Sequence, residues 1–403
     1  MSMWRAACGL QRAVSRMSCP LQRTRPVKLL VGPLARMPVR GAATVAVEGS
    51  QKAVGWWLMG CGGMVFGAVV LGGVTRLTES GLSMVTWRLL GEHRPRTQQE
   101  WQDEFARYQQ FPEFQIKNKD MRLEEFKMIW WMEYLHRQWG RTIGAAFFLP
   151  AAFFWARGRL SPGLQRRVIA CGGLLGVQGL LGWYMVRSGL EHERFSAPDS
   201  SEPRVSQYRL AAHLGTAFLL YTLLLWNGLD QLLPAQPMPQ GASALAVQQA
   251  RRLRGMVHGC KAAVLLTAVS GAFVAGLDAG LVYNSFPKMA DRWIPSDVLA
   301  MSPPLRNLTE NPTTVQFQHR VLGTGTLLLV TGVWLLARRR TLPPRAHTAA
   351  AAAAAMAWMQ VLLGITTLLT LVPVPIAAAH QSGSLMLLSF AIWLSHELKR
   401  VPK

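Results

Sequence analysis

Negative charge is scarce in this sequence. The first 47 residues contain no Asp or Glu, and the first acid is Glu48. The same stretch carries Arg5, Arg12, Arg16, Arg23, Arg25, Lys28, Arg36 and Arg40. It also lacks a continuous apolar run, which excludes a secretory signal. An Arg-rich, acid-free leader is the pattern of a mitochondrial transit peptide, here assigned to residues 1–47 with the mature start between 40 and 52. Cysteine is nearly as rare. Five residues, Cys8, Cys19, Cys61, Cys171 and Cys260, stand singly without a CxxC pair. That excludes a disulfide framework and a thiolate metal site, and single cysteines in apolar segments read as packing residues.

Charge of either sign is thin, at 16% of the chain, where a soluble protein carries about a quarter. Ala53 to Thr75, Val168 to Val186 and Thr348 to Ser395 contain no Asp, Glu, Lys or Arg. Runs of roughly 20 apolar residues are membrane spans. The formal charge of +22 lies in the leader and in short loops. That distribution serves import and topology rather than a nucleic-acid face.

What is present is a series of eight expected spans, near 54–75, 136–156, 167–187, 208–229, 256–277, 319–337, 350–371 and 376–395. "PVP" at 373–375 breaks the last run in two, because proline removes a donor and disfavours helix before it. Basic loops ("RGRLSPGLQRR", "RRLR", "RRRTLPPR" and the terminal "HELKRVPK") fall consistently on one side of the spans. By the positive-inside rule that side is the matrix, and both termini lie there. The long outer segment after Arg76 contains "TQQEWQDEFARYQQF". Thr97 and Glu100 form a capping-box pattern, and Trp101, Phe105 and Tyr108 recur at helical spacing. An amphipathic helix lying on the bilayer or packed over the outer mouth is expected there.

The two halves echo each other. "EYLHRQWGRTIG" at 133–144 pairs with "VQFQHRVLGTGT" at 315–326. "VQGLLGWYMV" at 177–186 pairs with "MQVLLGITTLL" at 359–369, and "RLAAHLGTAFLL" at 209–220 with "AAAHQSGSLMLL" at 377–388. "GGVTRLTESGLSM" at 72–84 more loosely matches "GAFVAGLDAGLVY" at 271–283. Units with an even number of spans keep one orientation, so this is a parallel repeat. The expected architecture is an all-α integral membrane protein of eight transmembrane helices, built as two parallel-repeat four-helix bundles. The bundles are assigned to 53–230 and 255–397, with a matrix linker at 231–254.

Four histidines occupy repeated positions: His136, His213, His319 and His380. Each falls in the first turns of an even-numbered span, so all four share one depth near the outer face. Two imidazoles facing across a bundle are suited to axial ligation of haem iron. Proton relay and a metal site are the alternatives. Gly140, Gly144, Gly179, Gly182, Gly215, Gly323 and Gly364 give a flat macrocycle or a neighbouring helix room to approach. Arg137, Arg141 and Arg320 are candidates for propionate contacts. His93, His192 and His347 read as solvated loop residues, and His258 and His396 as structural ones. Glu133 lies one turn before His136, where the other half has Gln316. The acid serves either as an ionisable group beside the first site or as an ion-pair partner of Arg137 or Arg141.

These residues carry a resemblance. "GGVTRLTESGLSMVTW", "EYLHRQWGR", "QGLLGWYMVRSGL", "RLAAHLG", "GLDAGLVYNSFPKM" and "AAAHQSGSL" closely resemble the haem A synthase family of cytochrome c oxidase assembly, in its mitochondrial form, over residues 53 to 403. The resemblance implies an oxidoreductase acting on a CH group, one that oxidises the C8 methyl of haem O to a formyl group and so gives haem A. It implies haem O as substrate between His136 and His213, haem B as cofactor on His319 and His380, and Glu133 as the essential acid. It also implies the mitochondrial inner membrane, with haem O synthase, an electron-transfer partner and oxidase assembly factors as partners, and homo-oligomers. The outer loops lack the paired cysteine that some bacterial members carry, so no thiol role is assigned. A b-type cytochrome that only transfers electrons is the rival reading, with Glu133 as the feature against it. A transporter is the second rival, disfavoured because the ionisable residues gather at one face.

Overall fold

A long α4 (Leu123–Ala156) shows how the chain resolves a conflict between charge and membrane. Its 34 residues span about 50 Å at 1.5 Å per residue, more than a bilayer core needs. Glu133, Arg137 and Arg141 lie within the helix, so the uncharged stretch is only Thr142 to Ala156. Eight spans were expected. In the computed structural model, seven helices are long and apolar enough to cross a membrane, and α4 is not among them. The two arginines dilute its apolar run.

The structure describes residues 40–88, 91–191 and 204–402, excepting the side chains of 40–48 and 50. The leader assigned to 1–47 therefore lies outside the described residues, apart from the backbone of its last two turns. From Ala46 onward the described chain forms one compact unit. The seven helices are α1 (Arg40–Leu77, apolar from Gln51), α5 (Pro162–Gly189), α6 (Gln207–Leu232), α7 (Ala244–Gly276), α9 (Pro312–Arg338), α10 (Pro344–Leu369) and α11 (Val374–Glu397). Short α2 (Gln98–Tyr108), α3 (Pro112–Ile116) and α8 (Asn307–Glu310) belong to the outer segments. Every named element among the described residues is helical.

Several expectations shift by a turn or more. Residues 244–254, assigned to a linker, are the first three turns of α7, with Ser243 capping them through a bond from the Ala246 amide. His347 lies in α10 rather than in a loop. The break at "PVP" is where expected: α10 ends at Leu369, Leu371 and Val372 adopt φ of 62° and 58°, and α11 starts at Val374.

Neighbour relations follow small residues and indoles. Trp57 of α1 donates to the Ala146 carbonyl of α4 at 2.9 Å and packs on Phe147 and Phe154. Trp139 of α4 donates back to the Met64 carbonyl at 2.8 Å. Gly62 and Gly228 let α1 and α6 touch, and α5 packs on α6. In the second half α7 packs on α9, α9 on α10, α10 on α11, and α11 on α7. The halves meet through α6 against α7 and α11, through Gln381 donating to the Val69 carbonyl at 3.0 Å, and through Tyr221 and Ser389 at 2.7 Å. Cys61, Cys171 and Cys260 are buried and free.

The outer segment between α1 and α4 folds onto α4. The Thr97 cap forms with both reciprocal bonds, as the sequence predicts. Trp101 packs edge-on to Trp130 at 5.1 Å, and Tyr108 stacks on Phe126 at 5.1 Å. Of the two placements open to this helix, its aromatic face is covered by protein.

Candidate functional site

Each of the four histidines rests on a glycine of the helix before it. A Cβ on Gly72 would lie 2.9 Å from Cε1 of His136, and one on Gly271 would lie 3.1 Å from Cε1 of His319. The corresponding distances are 3.6 Å for Gly182 and His213, and 2.8 Å for Gly364 and His380. Real Cβ atoms essentially never come under 3.0 Å, so two of the four glycines leave no room for any side chain. Gly182 and Gly364 stand in the sequence analysis; Gly72 and Gly271 were missed, although both lie in the quoted motifs. Their signal is the shared place in the loosest of the four echoes.

The histidine pairs are brought together within each half. His319 and His380 have ring centroids 6.2 Å apart, with planes at 87°. Two imidazoles bound to one metal at about 2 Å each would have centres roughly that far apart. His319 Nδ1 lies 2.7 Å from Ser270 Oγ, whose own hydrogen goes to the Thr267 carbonyl at 2.7 Å. His380 Nδ1 lies 3.1 Å from the Gln360 carbonyl. Both networks place the ring proton on Nδ1 and leave Nε2 as the free lone pair, the usual way a protein orients an imidazole ligand.

The first pair is held differently. His136 and His213 keep buried Nδ1 atoms without a hydrogen-bond partner. Position 71, which matches Ser270 in the repeat, is leucine. Gln178 matches Gln360, yet its amide is divided between the His213 carbonyl at 3.2 Å and Thr216 Oγ1 at 2.5 Å. Where Thr216 stands, the second half has Gly383, a Cβ on which would meet Gln360 Oε1 at 2.3 Å. Removing that side chain leaves the Gln360 amide to the His380 carbonyl, to which it donates at 2.7 Å.

Glu133 is buried and fully engaged. One oxygen accepts from Ser83 Oγ at 2.8 Å and from the Met84 amide at 2.7 Å, and the other accepts from Arg137 at 2.5 Å. Arg137 also donates to the Thr86 and Met84 carbonyls at 2.7 and 2.8 Å. The ion-pair alternative raised for Glu133 is therefore present. The second half builds the same clamp from a neutral amide. Gln316 donates to the Ala279 and Tyr283 carbonyls at 2.8 and 3.1 Å, and Arg320 donates to Tyr283 at 2.9 Å and to Gln316 at 3.2 Å. Arg141 donates to Gln138 at 2.8 Å and to the Arg88 carbonyl at 2.5 Å. All three candidate propionate arginines thus spend donors on the outer loops just above the histidines.

The residues fit haem. The paired rings stand a metal's width apart in the second half, and the first pair's buried Nδ1 atoms are unbonded. A Cβ on Gly140, Gly144, Gly179 or Gly323 would meet nothing within 4 Å. Gly215 is in ordinary contact with Val269, at 3.4 Å. Among the described residues no group of three or more His, Cys, Asp or Glu is placed to hold a metal ion. Of the other histidines, His93 lies near Glu100 at 3.7 Å on the surface, and His192 lies outside the described residues. His396 is buried against Asp230 and Lys399 at the far end of the bundle.

Comparison with known proteins agrees. Residues 55–392 match the family described as cytochrome oxidase assembly protein, COX15-CtaA. The chain is similar to the Bos taurus protein named heme A synthase COX15, 54% identical over 401 residues that cover 99% of this chain and 94% of that one. It is 41% identical to the Saccharomyces cerevisiae protein of the same name, with coverage of 87% and 76%. It is 42% identical to the Nitrosospira multiformis protein named heme A synthase, with coverage of 87% and 94%.

Proposed function

Since this chain belongs to the cytochrome oxidase assembly protein family, we propose that it is a haem A synthase of the mitochondrial inner membrane, converting the C8 methyl of haem O into the formyl of haem A. Its bundles, 53–230 and 255–397, are a parallel repeat of four spans each, with α4 completing the first, and both termini face the matrix. Haem O binds between His136 and His213. Haem B is the resident cofactor on His319 and His380, and when bound it supplies one-electron redox chemistry. Carriers of electrons and of haem O, other assembly factors and a second copy of the chain are the partners this activity implies.

The observation that carries the reading is the pairing of two similar imidazole sites with unlike surroundings. Overall, the methyl group gives up four electrons and two protons, and one water gives its oxygen to the carbon and its own two protons to acceptors. The chain's own residues then have defined work. His136 and His213 hold the substrate macrocycle across the bundle. Gly72 and Gly182 let their rings lie flat against α1 and α5. Arg137 and Arg141 fix the loop over the site and sit where propionates meet the outer surface. Glu133 supplies negative charge beside the reacting side of the macrocycle, stabilising a cation-like carbon or accepting a proton from the attacking water. The neutral Gln316 suits a site that only holds its cofactor.

Glu133→Gln tests this reading. Glutamine already fills the equivalent place beside Arg320, so the clamp survives the change. Haem extraction with mass analysis, on protein from cells that make haem O, is expected to find haem A or a hydroxylated intermediate in wild type. The variant is expected to hold haem O and haem B unconverted. Haem B alone in both proteins would favour the electron-transfer cytochrome. Loss of both haems in the variant would reduce Glu133 to a structural clamp.

A further inference from the structure

The two halves differ in how their second and third spans meet. α9 and α10 lie together along much of their length, whereas α4 and α5 approach at few positions. The contact they keep is towards the matrix end, where a Cβ on Gly172 would be 3.2 Å from Phe148 and 3.4 Å from Phe147. Outward from there the helices part. Gly140 and Gly144 on α4 and Gly176 and Gly179 on α5 have only open space where a Cβ would be. Gly140 and Gly144 follow His136 at successive four-residue steps, so all three share a face. Gly179 is three residues before Gly182, which touches His213. The cleft therefore runs inward to the two histidines whose buried Nδ1 atoms have no protein partner.

The matching seam in the other half is closed by helix contact and by Leu327, which stands where the repeat puts Gly144. Trp358, at the place of Gly176, is 58% exposed, and Gly323, at the place of Gly140, is open like its counterpart. Leu327 is buried, and Ala353, Ala354 and Ala357 are buried on the facing helix. A resident cofactor needs no door, but a membrane-soluble substrate that must enter and leave does. We propose that the α4–α5 cleft is a lateral portal through which haem O enters from the bilayer and the product leaves. This rests on the assignment of the His136–His213 pair as the substrate site.

The test fills the cleft with the residues of the closed half, Gly144→Leu together with Gly176→Trp. A Cβ at either position meets nothing within 4 Å, and retained haem B reports that the fold survives. Haem O plus haem A per chain is expected to fall at least ten-fold, with haem B unchanged. A filled variant that loads and converts haem O at the wild-type rate would overturn the portal. Should the pair of substitutions lose haem B as well, Gly144→Cys with Gly176→Cys decides. Oxidative cross-linking should stop turnover and reduction should restore it, and turnover that continues through a closed cross-link would again overturn the portal. Wild-type protein that binds haem B alone would instead remove the substrate-site assignment on which the portal depends.

Discussion

The first half of this protein holds its histidines loosely and the second holds them tightly, although both were laid down by the same repeated pattern. In the second half, Ser270 and the Gln360 backbone fix the His319 and His380 rings through Nδ1. In the first, leucine replaces the serine and Thr216 diverts the glutamine. A permanently occupied site gains from imidazoles locked in one tautomer and one orientation. A site that loads, converts and releases its ligand gains from rings that can adjust. The glycine-lined cleft beside the first pair and the filled seam beside the second repeat that contrast at the level of helix packing.

The largest expected effect comes from the glycines behind the rings. Gly364→Ala would drive a Cβ to 2.8 Å from His380 and is expected to abolish the axial low-spin signature of the second haem. Gly182→Ala, with 3.6 Å available, should leave the first site near wild type. Equal damage at both would show that the halves do not differ in tightness. The next effect is at the second shell. Ser270→Ala should weaken haem B retention by roughly ten- to a hundred-fold or shift its midpoint potential, the range seen when such partners are lost. Leu71→Ser should slow release of the product haem from the first site. Potentiometry and haem release rates report both, and an unmoved potential in Ser270→Ala would deny the serine an orienting role.

The smallest effect lies outside the membrane. Glu113 is buried beneath Tyr108, which donates to it at 3.1 Å. Desolvation raises its carboxyl from 4.5 to about 8, with Glu133 and Glu79 adding repulsion and Tyr108 and Lys117 opposing it. A carboxyl whose folded value is raised binds its proton more tightly when folded. Its contribution is therefore whole below pH 4.5 and declines as pH rises through about 8. Hydrogen exchange of α2 and α3 should quicken across that interval in wild type and stay flatter in Glu113→Gln. The outer cap of the second half, tied by Asn307, Asn311 and Asp297, lacks such a buried acid and should show no matching change.

Much of this was legible in the chain. Uncharged runs located seven of the spans, because an apolar segment in lipid has few alternatives to helix. Repetition located the four histidines, because a side chain costly in a membrane is retained twice only where it has work. The eighth expected span is not among the seven long apolar helices: Arg137 and Arg141 shorten the apolar part of α4, and both donate to the segment before it. Gly72 and Gly271 went unnoticed as ring supports because the contact they make is with a helix more than forty residues away. Linear spacing carries no record of such a contact.

Sequence by itself therefore determined the helical membrane class, the echo of motifs between the two halves and the place of Gln316 where the first half has Glu133. These follow from composition, period and offset, which are properties of one chain read in order. Tertiary structure decided that Glu133 is already bonded to Ser83, Met84 and Arg137, that Thr216 shares the Gln178 amide with the His213 carbonyl, and that one seam is open where its counterpart is packed. Each of those depends on which neighbour reaches a polar atom or an empty volume first, and only the folded packing of side chains sets that.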